Sequence, residues 1–258
     1  MAQLHEELLM KKILEICVDS LASARAAVSA GADRLELCSA LAVGGLTPYT
    51  TLLRQIRAES QIPVRCLMRP RAGDFLYTPE EVEQMRMQIL ELKKEGADGF
   101  VTGCLTPDGY LDKGALAPLI EACGDCGITL HRCIDVSADP EQTYRDAMDL
   151  GIDTVLTSGG ASSCRGGKDS LRALIELRDT LQGPEVLIGA GVNASVIAEF
   201  RRDIPGSRAF HMSGKTELES GMVFRREGVP LGLPGLDEWH IQQTDPAAVH
   251  AARIALDS

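Results

Sequence analysis

The chain has no apolar run that approaches the ~20 residues needed to cross a bilayer. Its first residues, MAQLHEELLMKK, carry acidic side chains and lack the apolar core of a signal peptide. Basic residues are not in excess, since 26 lysines and arginines stand against 37 aspartates and glutamates, a formal net charge of -11. We therefore expect a protein that is not exported, without membrane association and without general affinity for nucleic acid.

Low-complexity stretches are also missing, and a composition that is 45% hydrophobic and 24% charged is typical of a folded protein. The eight cysteines come with no export signal, which predicts a reducing environment. They are expected to be free thiols or metal ligands, because disulfides rarely persist there.

A short unit recurs along the chain. GADRLELC begins at Gly31, GADGFVTG at Gly96 and GIDTVLTS at Gly151, and each follows a stretch with helical periodicity. Glycine suits the end of a helix because it adopts the left-handed conformation without strain. Helix starts are predicted at Thr78-Pro79 and Asp139-Pro140, with a shorter form of the same signal at Thr47-Pro48.

Eight strand candidates alternate with these helical patterns. They predict an α/β protein, a single (β/α)₈ TIM barrel. An open doubly wound sheet is the alternative, but the glycine-rich G-x-G-x-x-G motif expected after its first strand is absent after Val18. The predicted organisation is an N-terminal extension over residues 1–12, the barrel over 13–216, and an irregular extension over 217–258 that packs on the barrel. The strand candidates are ILEICV, RLELCS, VRCLMR, GFVTGC, TLHRCI, TVLTSG, VLIGAG and AFHMSG.

The first two strands have two chemically different faces. In LEIC from Leu14 and LELC from Leu35, the aliphatic positions suit the helix layer and the alternate positions point into the barrel. Buried carboxylates require counter-charges or protonation. The expected counter-charges are Arg69 and Arg71 at the end of the third strand, His131 and Arg132 after the fifth, and His211 on the eighth. The inward set is Glu15, Cys17, Glu36 and Cys38.

Other ionisable residues follow later strands: His131 and Asp135 after the fifth, and His211 on the eighth. Active sites of this fold lie at the carboxyl ends of the strands, so a binding or catalytic role is predicted for the cluster. The alternative is a buried ion-pair network that only organises packing. The candidate acid–base residues are Glu15, Glu36, Arg69, His131, Asp135 and His211.

These stretches together resemble the CutC family of TIM-barrel proteins assigned to copper homeostasis. The resemblance rests on LEICVDS, GADRLELC, GGLTP, RPRAGDFLY, VTG, HRCID, LTSG, GAGV and HMSG, in that order along the chain. It implies the barrel fold, a cytoplasmic location, self-association as a homo-oligomer such as a dimer, and a Cu(I) site formed by Cys17 and Cys38.

The chemistry of copper gives this implication a physical basis. Cu(I) is soft and prefers thiolates, and adjacent strands lie ~4.8 Å apart, so two sulfurs on neighbouring strands can share one ion. The alternative is that both cysteines pack as small apolar residues. Cys123 and Cys126 have C-x-x-C spacing but fall at the end of a helix, where no dipole activates the thiolate, and no metal or redox role is predicted for them.

A second interpretation is an enzyme, an isomerase, lyase or aldolase that acts on a small anionic metabolite, a phosphorylated or carboxylated compound. Glycine-rich and hydroxyl-rich segments follow strands six, seven and eight, where this fold often holds phosphate. Glycines needed only for tight turns are the alternative. No G-x-S-x-G motif is present, and no strand carries a Schiff-base lysine. The predicted anion-binding residues are Arg71, Ser158, Gly159, Gly189, Gly191, Ser213 and Gly214.

Overall fold

A computed structural model describes residues 12–226, 228–229, 231–233 and 238–258. Eight parallel strands form a closed barrel in the order β1 to β8, which confirms the predicted fold. Apart from Lys12, the N-terminal extension predicted over residues 1–12 lies outside the described residues. The barrel strands are β1 (Ile13–Val18), β2 (Arg34–Leu37), β3 (Val64–Leu67), β4 (Gly99–Thr102), β5 (Gly127–Leu130), β6 (Thr154–Thr157), β7 (Glu185–Ile188) and β8 (Ala209–Met212).

Helices follow the strands and cover the barrel. Two short 3₁₀ helices, Leu41–Val43 and Arg132–Val136, lie in the loops after β2 and β5. The α-helices are α1 (Leu21–Ser29), α2 (Thr50–Glu59), α3 (Pro79–Lys94), α4 (Lys113–Cys123), α5 (Pro140–Asp149), α6 (Lys168–Leu181), α7 (Ala194–Asp203) and α8 (Pro246–Asp257).

Local capping chemistry sets several helix starts. Thr78 accepts a hydrogen bond from the backbone N–H of Glu81, and the Glu81 carboxylate accepts one from the Thr78 N–H, which closes a capping box at α3. Asp139 caps α5 in the predicted way. The helix predicted to start at Thr47-Pro48 begins two residues later, with Tyr49 as its N-cap, and the Thr47 hydroxyl bonds to the backbone of Arg69 instead.

Side chains on the two faces of the strands lie in different apolar clusters, as predicted. Leu14 and Ile16 of β1 are fully buried in the large apolar core that includes helix residues such as Leu53. Cys17 and Cys38 belong to a separate small cluster with Leu67 and Val101. The interior of the barrel is therefore distinct from the layer between strands and helices.

The C-terminal segment is more regular than predicted. Strands β9 (Lys215–Glu219) and β10 (His240–Thr244) form an antiparallel pair, and α8 follows. Asp245 caps α8, which buries its apolar face through Val249, Ala252 and Leu256 and contacts α7 and β1. This helix occupies the place of the eighth barrel helix. Residues 217–258 were expected to form an irregular extension, and the described part of this segment contains a strand pair and a helix instead. Within the described residues, no helix has the length and apolar character of a membrane span.

Candidate functional site at the barrel mouth

The site begins where the barrel closes. Strand β8 pairs with β1 so that His211 lies opposite Glu15, and β1 pairs with β2 so that Cys17 lies opposite Glu36. Their side chains share the interior because each sits on the inward position of its strand. The closure thus brings together residues from the two ends of the sequence.

Glu15 is fully buried and has two cationic partners. Its carboxylate accepts a hydrogen bond from the Arg34 guanidinium, and its Oε1 lies 2.8 Å from His211 Nδ1. Burial raises the pKa of Glu15, but the charge of Arg34 and the bond to His211 outweigh it and lower the pKa to about 2. The counter-charges are therefore Arg34 and His211. The expectation of a counter-charge from His211 is confirmed, whereas the prediction that Arg69 or Arg71 neutralises Glu15 was wrong.

Glu36 lies in a less favourable environment. Its Oε2 accepts a hydrogen bond from Cys38 Sγ at 3.4 Å and lies 3.7 Å from His211 Nε2. Burial, together with the negative charge of Glu15, raises the pKa of Glu36 despite the opposing effect of His211. Burial also raises the pKa of the Cys38 thiol well above its usual range, and the neighbouring Glu36 and Cys17 add to this shift.

His211 is the centre of the cluster. Burial lowers its pKa, but Cys17, Glu36 and Glu15 act in the opposite direction and leave the pKa of His211 well above its usual value. One ligand atom each from Cys17, Glu36 and His211 lie within 4.8 Å of one another, a spacing suited to a single metal ion. Cys38 contacts this group through its bond to Glu36.

A cavity of about 470 Å³ opens above the cluster at the carboxyl ends of the strands. Arg69, His131 and His211 all line it, as predicted for a shared site. Its walls are mixed, with several aliphatic side chains beside the charged ones. The full lining is Cys17, Glu36, Leu41, Val43, Gly44, Leu67, Arg69, Phe75, His131, Arg132, Leu156, Ala190, Gly191, Val192, His211, Met212, Ser213 and Lys215.

Arg69 and Arg71 have different environments although they are two residues apart. The terminal nitrogens of Arg69 donate to the backbone carbonyls of Val43, Gly45 and Gly73. The Arg71 side chain is 39% exposed and pairs with the Glu81 carboxylate, so it stabilises the loop before α3 and is absent from the cavity lining.

His131 is held in one tautomer. Its Nδ1 accepts a hydrogen bond from the Cys133 N–H at 3.1 Å, and its ring packs on Phe75 with 4.5 Å between centroids. Burial, with the nearby charge of Arg69, lowers the pKa of His131 to about 3. The imidazole is therefore neutral at physiological pH, with its proton on Nε2.

Asp135 organises the loop after β6. Its carboxylate accepts hydrogen bonds from the Thr157 hydroxyl, from the N–H and hydroxyl of Ser158, and from the Gly160 N–H. Burial raises the pKa of Asp135, but these bonds and that of Arg132 outweigh it and lower the pKa. The carboxylate does not line the cavity, and its acceptor capacity is taken up by the loop.

The predicted anion-binding residues divide into two groups. Gly191 and Ser213 line the cavity. Ser158, Gly159, Gly189 and Gly214 do not: the Gly189 N–H donates to Thr157, and a Cβ at Gly159 would lie 2.3 Å from the Gly167 carbonyl. Close packing thus accounts for Gly159 without a ligand.

Sequence reasoning missed two contributors to the site. Arg34 shares the inward face of β2 with Glu36, and the alternation that identified Glu36 could have found it. Phe75 lines the cavity from a loop position that no local pattern marks, and Lys215, just after β8, lines it as well. Cys123 and Cys126 lie away from the cavity lining, at the end of α4.

Comparisons with known proteins agree with this architecture. The CutC family model matches residues 12–216. The chain is 39% identical over 252 residues to a CutC protein of Vibrio campbellii, covering 96% of this chain and 100% of that protein. It is also 39% identical over 241 residues to the copper homeostasis protein cutC homolog of Homo sapiens, covering 92% of this chain and 86% of that protein.

Solved structures show the same fold. A crystal structure of a CutC protein from Streptococcus agalactiae, 26% identical, superposes with a TM-score of 0.73 and covers 78% of this chain and 98% of that one. Phosphoribosylanthranilate isomerase of Thermotoga maritima, 13% identical, gives a TM-score of 0.55 over 95% of this chain and 98% of that one, a likeness of fold alone. From the family match and the identities over most of its length, the chain belongs to the CutC family.

Proposed function

We propose that this protein binds Cu(I) at the bottom of the mouth cavity, through the thiolates of Cys17 and Cys38 with the His211 imidazole beside them. The observation that carries the proposal is the convergence of Cys17, His211 and Glu36 donor atoms within 4.8 Å, with Cys38 bonded to Glu36. Sulfur and imidazole suit a soft ion, whereas the Glu36 carboxylate is a poor Cu(I) ligand. The name of the human relative supports a role in copper homeostasis.

The electrostatics of the thiols predict how affinity responds to pH. The pKa of Cys38 is raised by burial and by Glu36, so binding must release its proton. Cu(I) affinity is therefore expected to rise with pH across the neutral range. Affinity independent of pH between about pH 6 and 8 would argue against Cys38 as a ligand.

The direct test is anaerobic competition with the Cu(I) chelator bicinchoninate. The double variant Cys17→Ser and Cys38→Ser should lose stoichiometric binding, because a hydroxyl is a poor substitute for a thiolate. The double variant Cys123→Ser and Cys126→Ser is the matched control and should bind as the wild type does. Equal affinity in the two double variants would refute the proposal.

A third pair of variants separates two possible donor sets. Cys17 and His211 are common to both, while Cys38 completes a soft set and Glu36 a harder one suited to Zn²⁺. If Cu(I) is the ligand, Cys38→Ser should weaken its binding and Glu36→Gln should not. Loss of binding in Glu36→Gln alone would instead favour a divalent ion.

A second candidate function is acid–base chemistry on a small anionic metabolite. Its supporting observation is that His211 lies between two carboxylates, Nδ1 at 2.8 Å from Glu15 and Nε2 at 3.7 Å from Glu36, in a cavity that also holds Arg69. A protonated imidazole beside a carboxyl of raised pKa can pass protons to and from a ligand. The test is exchange of ligand C–H hydrogen for deuterium in D₂O, followed by NMR. Exchange is expected with the wild type and should be abolished in Glu36→Gln.

We also propose that the protein acts in the cytoplasm as a homo-oligomer. The family resemblance supports both, and the segment between β9 and β10 exposes apolar side chains, with Val223 98% and Phe224 67% exposed. Multi-angle light scattering should give a mass above that of one chain. Replacing Phe224 by serine should lower that mass if this segment forms the interface, whereas the exposed Tyr49→Ser is expected to leave it unchanged.

A further inference from the structure

Arg69 is a buried cation without a carboxylate partner among the described residues. It is 8% exposed, and its terminal nitrogens donate only to backbone carbonyls. By contrast, the buried Arg34 and Arg178 each pair with a glutamate. Burying a guanidinium without a counter-charge is costly, so a negatively charged ligand beside Arg69 would offset that cost.

One nitrogen of Arg69 is still available for such a ligand. Its Nε is buried and has no hydrogen-bond partner within the part of the chain that the structure describes. The carbonyls of Val43, Gly45 and Gly73 hold both terminal nitrogens, which fixes the plane of the guanidinium. Arg69 therefore offers one charge-assisted donor at a defined position.

His131, which lines the same cavity, offers a second donor. Because Nδ1 accepts from the Cys133 N–H, the proton of the neutral ring is on Nε2. That Nε2 is also buried and unpartnered among the described residues. A neutral imidazole fixed as a donor stabilises a negatively charged oxygen without a proton transfer.

Phe75 contacts both Arg69 and His131. Its ring lies 4.5 Å from the His131 ring centroid, and the Arg69 guanidinium carbon lies 5.4 Å from the Phe75 centroid. Both unpartnered nitrogens are shielded from water, and Phe75 is packed against both side chains that carry them. Access of a ligand to either nitrogen would require movement of the side chains that cover it, and Phe75 is a contact that both side chains share.

We propose that Arg69 Nε–H and His131 Nε2–H form a carboxylate-binding subsite of the mouth cavity, and that its ligand is a small organic monocarboxylate. Two donors match the two oxygens of a carboxylate, and the single charge of Arg69 matches one negative charge. A phosphate dianion has more charge and more terminal oxygens than this pair satisfies. Apolar lining residues such as Leu41, Leu156 and Met212 suit the organic remainder of the ligand.

This inference rests on the second candidate function, because it names the class of ligand that the cavity would bind. The binding test below does not require catalytic turnover. Calorimetric titration would use pyruvate, 3-methyl-2-oxobutanoate and benzoate, each beside its methyl ester, with inorganic phosphate as a separate titrant. At least one carboxylate should bind about tenfold or more tightly than its ester and more tightly than phosphate. Binding without deuterium exchange would remove the enzyme candidate and leave the subsite in place.

Two variants and a matched control complete the test. Arg69→Gln should weaken carboxylate binding about tenfold or more, and His131→Asn, whose amide oxygen can still accept from the Cys133 N–H, should also weaken it. Arg71→Gln removes a neighbouring arginine that the cavity does not use and should leave affinity unchanged. No binding by any of the three carboxylates, or equal losses in Arg69→Gln and Arg71→Gln, would overturn the proposal.

A spectroscopic measurement keeps the proposal testable if Arg69→Gln fails to fold. In ¹⁵N-histidine NMR of the wild type, His131 should remain a neutral Nε2–H tautomer down to about pH 5, because its pKa lies at about 3. Titration with the binding carboxylate should move the Nε2 resonance and leave that of the exposed His250 in place. An imidazolium at pH 6, or an Nδ1–H tautomer, would contradict the assignment.

Discussion

Replacing Glu15 by glutamine should destabilise the protein strongly, because the change removes the anion of a buried pair and preserves its shape. Glu15 is fully buried, with Arg34 and His211 as its partners. Its pKa falls from 4.5 to about 2. At about 1.4 kcal/mol per pKa unit, the ionised carboxylate contributes about 3 kcal/mol to the free energy of unfolding.

The pH dependence follows from the direction of this shift. The folded-state pKa of Glu15 is lower than the unfolded-state value, so its contribution is complete above the unfolded pKa of 4.5 and is lost as pH falls toward about 2. The difference in unfolding free energy between wild type and Glu15→Gln should therefore shrink from about 3 kcal/mol near pH 6 to about 2 kcal/mol near pH 3.5.

Urea unfolding followed by circular dichroism at several pH values measures this difference. Glu59→Gln is the control, since Glu59 also pairs with an arginine, Arg25, but on the exposed surface, where ion pairs contribute little. A loss below about 1 kcal/mol in Glu15→Gln, or a loss that does not vary with pH, would refute the view that Glu15 is ionised and stabilised by its partners.

Three further predictions concern the loops around the site and the opposite end of the barrel. Gly103→Ala should cost about 1–3 kcal/mol in urea unfolding and weaken carboxylate binding, because the new Cβ would meet Cys133 Sγ at 2.4 Å and His131 Cε1 at 2.7 Å. Asp135→Ala should raise hydrogen–deuterium exchange of the loop after β6 without abolishing Cu(I) binding, since Asp135 bonds to that loop and does not line the cavity. Arg178→Ala should lower the unfolding free energy by about 1–3 kcal/mol, measured by urea unfolding, because it removes one of the two cations that pair with the partly buried Glu185 and leaves only Arg208.

The sequence was most informative where the signal lies within a single strand or helix turn. Alternation along LEIC and LELC predicted that Glu15 and Glu36 point into the barrel while Leu14 and Leu35 face the helices, and burial in the separate apolar clusters agrees. Capping residues likewise located α3 and α5. Both kinds of signal depend on residues within one turn or one strand.

Partners distant in the chain could not be predicted in this way. His211 meets Glu15 only because β8 closes on β1, a contact 196 residues apart. Arg69 looked like the counter-charge because it is a cation at a strand end, but the loops carrying Val43 and Gly73 bring carbonyls to it first. Which side chain neutralises a buried charge depends on the register of the strands and on the path of the loops. Neither can be predicted from composition or residue spacing.

The charges within the barrel connect the two proposals. Arg34, Arg65, Arg69 and His211 are cationic and buried or nearly so, whereas the anions beside them are Glu15, Glu36 and the partly exposed Asp153. The raised pKa of Glu36 reduces the negative charge further.

An interior with excess positive charge favours the addition of an anion, even in a chain whose net charge is -11. A thiolate formed at Cys17 as Cu(I) binds is one such anion, and a carboxylate at Arg69 is the other. The first lies beside His211 and the second beside His131, on strands at different parts of the rim. If both proposals are correct, Cu(I) loading should change carboxylate affinity only modestly, because the buried charge that each ligand neutralises is different. A carboxylate affinity abolished by Cu(I) would show instead that the two ligands compete for one position.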